Sequence, residues 1–431
     1  MGSVVVERTR LSRSTALRAI AAAIVATSIV ALAAACGGSA TSPGSSASPS
    51  PPPIRIGAVY DLTGSHSTLD APALDGARLA VDRINAAGGL LGRRVELLER
   101  DAQSSPAVAR AAVRSLARAG ASAIVGLSDT GQVLAAAPIA ANARIPFLTS
   151  GATSPLLPVK VPDWLFMASF GDNVQAAAGA EYARQTLGAS TAAIIYDASL
   201  ESARALQLYF SESFRAQHGH VVFDKGFHPA KDDVAKVLSA LSSQPIRGGD
   251  GGADEPVVGH TRPVRPELLY VAVGPVDASV VVRALRAAGY VQPIMGGDSY
   301  DNVELFSAAA ETGGGVSFTT QAAFGMAHST AAMRRFARRY QEAYGRAPEN
   351  SFAGLGYDAV NLVAHAILVA KSAAPAAIRD ALAATRGFRG VTGAVSLTHG
   401  GGTPHRQVAI VEIDNRPRLA AVISPVFVPR P

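Results

Sequence analysis

From Ile54 onward, short β-rich apolar runs alternate with longer stretches whose apolar positions recur at helical spacing. IRIGAVY reads as a strand that ends in the turn DLTGS. APALDGARLAVDRINAAGG then carries Leu74, Ala77, Val81 and Ile84 on one helix face, and it stops at Gly88 and Gly89, where glycine suits a left-handed cap. RRVELLERD is a second strand, and SSPAVARAAVRSLARAG a helix with Ser105 as cap and Pro106 at its first position. ASAIVGL, GQVLAAAPIAANA and IPFLTS continue as strand, helix and strand. This order predicts a parallel sheet covered on both faces, with ligands held outside the carboxyl ends of its strands.

The rhythm restarts after Pro162 with the helix NVQAAAGAEYARQTLG, the strand ASTAAIIYD, the helix SARALQLYFSESFRAQHG and the strand HVVFDKGF. It runs on through ELLYVAV, VDASVVVRALRAAG, VQPIMGG and GGVSFTT. That is too many alternations for one sheet of ordinary width, so the expected architecture is two α/β lobes, with a single wider doubly wound domain as the alternative. Residues 245–266 interrupt the pattern with glycine, proline and opposed charges and read as a mobile surface loop, in which His260 is incidental. From Ala331 the pattern is helical, and the tail reads as two antiparallel strands with a turn at Asn415.

Ahead of this body, Arg8, Arg10, Arg13 and Arg18 precede an uncharged apolar run from about Ala19 to Ala35, the layout of an export signal. The run is short for a membrane span, which needs roughly 20 apolar residues. Its end, ALAAACGG, resembles the cleavage and lipidation box of bacterial lipoproteins, with Ala33 where leucine is customary. Residues 1–35 are therefore expected to be a signal peptide and Cys36 a lipid tether. Residues 36–53, rich in Ser, Pro, Ala, Thr and Gly, read as a flexible spacer.

Cys36 is the only cysteine of the 431 residues, so a disulfide within the chain is impossible whatever the redox compartment. The formal charge of +6 shrinks to about +3 once the four signal arginines and Glu7 are set aside. The remaining arginines are spread along helices; even the denser AAMRRFARRYQEAYG reads as a solvated face rather than a groove for nucleic acid. Among catalytic and cofactor motifs there is no GxSxG, P-loop, HExxH or GxGxxG with its ribose acid, so no cofactor is expected. The nine histidines are scattered; His218 and His220, the closest pair, would share a side only on a strand, and they read as structural rather than metal-binding.

Polar strand exits are more informative. In VGLSDTGQVLAAAP, Ser128, Asp129 and Thr130 lie between a strand and a helix, where a hydroxyl and the helix's unpaired amides favour a carboxylate. Alternatively, Asp129 or Thr130 only caps its own helix. Ser150, Ala152 and Thr153 in LTSGATSP recur at the next strand exit, which adjacent parallel strands would bring to the same rim. In IMGGDSY, Asp298 leaves another strand after two glycines and offers an acceptor for an ammonium, or else caps the helix near Asn302. Donors on one lobe and an acceptor on the other suit a zwitterion.

These stretches, in this order, resemble the type I periplasmic binding proteins of branched-chain amino acid ABC transporters, the Leu/Ile/Val-binding group. The resemblance rests on IRIGAVYDLTGS, DGARLAVDRINAAGGLLGRRVELLERDAQSSP, IVGLSDTGQVLAAAPIA, IPFLTSGATSP and PIMGGDS, and it runs from Ile54 to about Ile423. It implies two doubly wound lobes joined by a three-crossover hinge: 54–170 with 325–388, and 171–324 with 389–425. It implies that Thr130, Ala152 and Thr153 hold a ligand carboxylate and Asp298 its amino group. Departures from the family are Leu69 in place of an aromatic residue after the first strand, Leu200 and Glu201 in place of a tyrosine, and Gly274, Pro275 and Val276 at a strand exit that also lacks an aromatic. Glu201 would then admit a cationic or hydroxylated group. The function implied is a lipid-anchored extracytoplasmic receptor that delivers an amino acid or related solute to ABC permease subunits, with no catalysis. A surface sensor is the first alternative and an α/β enzyme the second.

Overall fold

The computed structural model describes residues 51–229, 234–243, 266–327, 329–397, 404 and 406–431. The expected signal peptide, Cys36, nearly all of the spacer and residues 245–265 of the expected loop, His260 among them, lie outside the described residues.

The first lobe begins with β1 (Ile54–Tyr60), α1 (Ser67–Ala86), β2 (Val95–Asp101), α2 (Pro106–Arg118), β3 (Ala123–Gly126), α3 (Thr130–Asn142), β4 (Phe147–Thr149), α4 (Leu157–Lys160) and β5 (Leu165–Met167). Its five strands are all parallel, in the order β2-β1-β3-β4-β5. The second lobe follows with α5 (Asp172–Gln185), β6 (Thr191–Asp197), α6 (Glu201–Ala216), β7 (His220–Phe227), α7 (Val234–Ser242), β8 (Leu268–Ala272), α8 (Pro275–Ala287), β9 (Ile294–Gly296), a 3-10 turn at Asp298–Tyr300, α9 (Val303–Glu311) and β10 (Val316–Thr320). The chain returns to the first lobe with α10 (Ala331–Tyr344), α11 (Ser351–Ala370), α12 (Pro375–Ala383) and the hairpin β11 (Phe388–Gly390) and β12 (Gly393–Val395). Finally β13 (Val408–Ile413) and β14 (Pro417–Ile423) add two antiparallel strands to the second sheet, ordered β14-β13-β10-β9-β8-β6-β7. His218 sits in a left-handed turn before β7 and His220 begins that strand, so the two do not share a strand face.

Each sheet is apolar on both faces, as a parallel sheet between helices must be. One face of the first sheet packs against α1, α10, α11 and α12 and the other against α2 and α3; in the second lobe the two faces are covered by α7, α8 and α9 and by α5 and α6. Helix α11 is long and apolar enough to cross a membrane by length and composition, but it is a core helix, mostly buried. It lies unusually close to α1: a Cβ on Gly76 would stand 1.8 Å from the Ala353 carbonyl oxygen, and one on Gly356 1.8 Å from that of Ala73. Only glycine allows that separation.

Helix α1 starts at Ser67, earlier than the pattern predicts, and carries Pro72 in its first turns. The hairpin β11–β12 also departs from expectation. Val395 and Leu397 complete the first lobe's core, and Asp358 of α11 accepts the Val391 and Thr392 amides. The first lobe therefore extends to 397 rather than 388. Around the crossovers, buried Arg406 donates to the Ala168 carbonyl and to Thr392, while the Phe170 amide donates to Gln321 Oε1 at 3.2 Å. Buried carbonyls satisfied by one guanidinium tie two of the connecting strands together.

Candidate functional site

The carboxyl ends of β3 and β4 lie side by side, because Gly126 pairs with Thr149. Leu127 leaves β3 in the left-handed region at φ 57, a conformation that costs of order 1–3 kcal/mol and is held only by its surroundings. Here they are the Leu127 amide on Val59 O at 3.0 Å and its carbonyl, which accepts Thr149 Oγ1 at 2.9 Å and the Gly151 amide at 3.2 Å. That turn presents Ser128 and Asp129. Asp129 is the N-cap of α3, accepting the Gln132 amide at 2.8 Å, so the Thr130 hydroxyl is not needed as a cap. Thr130 is fully buried and its Oγ1 has no partner.

A small cavity of about 40 Å³ lies between the lobes, within a wall that draws on both. From the first lobe come Ser128, Asp129, Gly151, Thr153 and Phe352; from the second come Leu200, Ser202, Gly274, Asp298 and Ser299. Of the residues singled out in the sequence, Ser128, Thr153 and Asp298 are thus brought together. Thr130, Ser150 and Ala152 are buried behind the wall instead of lining it. The Ala152 amide donates to Thr149 Oγ1 at 3.2 Å, and its carbonyl accepts Ser169 Oγ at 2.6 Å. Glu201 is the first residue of α6; it is not in the cavity wall, which its neighbours Leu200 and Ser202 line, but its charge is near enough to help raise Asp172. Successive residues on a helix diverge by about 100°. The lobes also touch directly, through Asp172 N to Thr153 O at 2.7 Å and Ser351 N to Asp301 Oδ2 at 2.8 Å.

Asp298 does not cap α9. Asn302 does, accepting the Leu305 amide at 2.9 Å. Asp298 instead receives Gln175 Nε2 on Oδ1 at 3.2 Å, and Oδ2 is buried without a partner. The same Gln175 nitrogen donates to Asp172 Oδ1 at 3.0 Å, while its Oε1 accepts the Asp298 amide at 3.1 Å and Thr319 Oγ1 at 2.6 Å. One amide side chain thereby holds two carboxylates, each with a free oxygen. Burial pushes Asp172 up to about 7 and Asp298 up to about 6, because a carboxylate out of water resists ionisation. On the opposite lobe burial also raises Asp61 and Asp70, which are linked through the Asp61 amide on Asp70 Oδ2 at 2.9 Å.

Sequence reasoning missed several of these groups. Asp172 and Gln175 begin a helix just after a lobe crossing and carry no motif. Phe352 reaches the cavity from α11, far along the chain, and supplies an aromatic wall that the strand exits lack. Its ring fits because Gly151 has no side chain; a Cβ there would stand 2.8 Å from Phe352 Cε1. Among the described residues no group of three or more His, Cys, Asp or Glu is arranged to hold a metal.

A family model described as periplasmic binding protein matches residues 53–417. Leu/Ile/Val-binding protein homolog 8 of Brucella abortus is 34% identical over 101 residues, 23% of this chain. The match spans only a quarter, 25%, of that relative's length. Among solved structures, the branched-chain amino acid transporter substrate binding protein LivJ from Streptococcus pneumoniae, in complex with isoleucine, is 28% identical at a TM-score of 0.75 and covers 86% of this chain and 100% of that one. The leucine binding protein LivK from Thermotoga maritima is 26% identical at the same TM-score of 0.75, covering 86% and 99%.

Proposed function

Since this chain belongs to the periplasmic binding protein family, we propose that it is an extracytoplasmic solute receptor that closes its two lobes over a small amino acid or related zwitterion. The observation that carries this reading is the pairing across one cavity of Ser128 and Thr153 with the unpartnered carboxylate oxygen of Asp298. A ligand carboxylate would meet hydroxyls and the start of α3, and its ammonium would meet Asp298. Thr130, just behind the wall with an idle hydroxyl, reaches that carboxylate when the lobes part enough to admit a ligand. Binding then raises the closed population, because only the closed form makes both sets of contacts. The isoleucine held by the Streptococcus pneumoniae relative supports a solute of this class.

The finer parts of the proposal are anchorage through Cys36 and delivery to ABC permease subunits. A sensing role would use the same binding physics. Enzymatic use of the cleft is disfavoured by the surroundings of Ser128: His66 on the same wall turns Nδ1 to Ser65 Oγ at 3.2 Å and Nε2 toward Asp129 at 3.8 Å, so this histidine is not paired with the serine.

A thermal-shift panel of amino acids, their amides and their deaminated analogues tests the proposal. Compounds with both an ammonium and a carboxylate should raise the melting temperature, since a ligand at 100 times its Kd stabilises by about 2.7 kcal/mol. A panel in which no zwitterion shifts the melt, or in which deaminated acids shift it equally, contradicts it.

A further inference from the structure

The first lobe carries a second, larger cavity of about 480 Å³ that shares no wall residue with the interlobe one. It lies among the end of α1, one face of α10, α11 and the β11–β12 hairpin. Its size falls in the range of small-molecule sites, roughly 300–1,000 Å³. Four arginines line it: Arg83 from α1, Arg335 and Arg339 from successive turns of α10, and Arg389 from β11. Two of the arginines in RRFARR thus line a concavity on a helix face that is otherwise solvated, as its sequence suggests.

Nothing in the wall neutralises them. Among the described residues none of the four forms an ion pair. The carboxylate in the wall, Asp358, is already occupied: Oδ1 accepts the Val391 amide at 2.8 Å, and Oδ2 accepts the Thr392 amide at 2.8 Å and its hydroxyl at 2.6 Å. Arg83 donates to Asn361 and stands over the Tyr357 ring, 5.8 Å from its centroid. Aromatic rings stand among the aliphatic wall residues, with Tyr357 against Phe336 at 5.1 Å between centroids and Phe388 against His365 at 5.6 Å.

Like charges gathered on a concave, partly apolar wall focus a positive potential. Guanidinium forks match the paired oxygens of phosphate and carboxylate, and aromatic rings offer a face to a flat ligand. We propose that this cavity is a second binding site, for a small organic anion that carries a phosphate or carboxylate beside a flat apolar ring.

Phenyl phosphate is the probe, titrated calorimetrically into the purified full chain at low and at physiological ionic strength. Binding should weaken as salt rises and weaken by about tenfold or more in Arg335→Gln/Arg339→Gln, which removes two charge-assisted contacts. Arg338→Gln, on the same helix but outside the wall, should leave binding unchanged. Both arginines of the double variant are exposed, so its melting curve should match the parent's and show that it folds. Absence of binding to the parent chain, equal affinity in the double variant, or equal loss in Arg338→Gln overturns the proposal. A separate arm uses phosphatidylglycerol vesicles: sedimentation with them through Arg335 and Arg339, without phenyl phosphate binding, would assign the arginines to a membrane surface and also overturn it.

Discussion

Asp172 and Asp298 show how the candidate site stores electrostatic cost in single residues. Both are buried, both keep a free oxygen, and they share the Gln175 amide nitrogen. Their pKa values in the fold, about 7 and about 6, exceed the unfolded value of 3.8. Between those values the folded chain holds protons that the unfolded chain has lost, so the stability of the ligand-free protein falls as pH rises through this window. Melting temperature should therefore decline from about pH 4 to about pH 7, and Asp172→Asn/Asp298→Asn should flatten that decline. Thermal melts across the range check this, and parallel slopes for parent and variant would contradict it.

At the scale of elements, helix caps separate structural from binding polar groups. Asn302 caps α9 and Asp298, four residues earlier, does not. Asn302→Ala should cost about 1 kcal/mol in urea unfolding, the usual loss of a cap. Asp298→Ala should cost nothing at neutral pH, because it removes a buried charge whose outer oxygen has no partner. A larger loss from Asp298→Ala than from Asn302→Ala would assign Asp298 a structural role. The same scale explains what the sequence made legible. Strand and helix alternation is written in local periodicity, and β–α turns such as Leu127–Thr130 announce themselves by polar residues between two apolar patterns. Ser128, Thr153 and Asp298 were visible for that reason. Phe352, Gln175 and Ser202 were not, because their importance arises only when α11, α5 and α6 meet other elements in space. Glu201 stands at the first position of α6, between the two wall residues Leu200 and Ser202. The hairpin at 388–395 was misplaced because its register on the first lobe depends on Asp358 and on the Leu397 contact, and no local pattern encodes either.

Across the whole molecule, two sheets of unlike construction face one cavity: five parallel strands on one side and seven mixed strands on the other. The chain passes between the lobes around Ala168, near Gln321 and again before β13, where buried Arg406 and Gln321 join the connections. Such a frame lets the lobes move as bodies while each core stays packed. In the proposed function a ligand bridges them, with hydroxyl and amide donors on the first lobe and a carboxylate on the second. The most direct measurement is calorimetric titration of the parent and Asp298→Asn proteins with leucine and with 4-methylpentanoate, its deaminated counterpart. The account predicts that the parent prefers leucine by at least about tenfold, the effect of one charge-assisted contact, and that Asp298→Asn erases most of this preference by weakening leucine alone. The same preference in both proteins, or none in the parent, would contradict it.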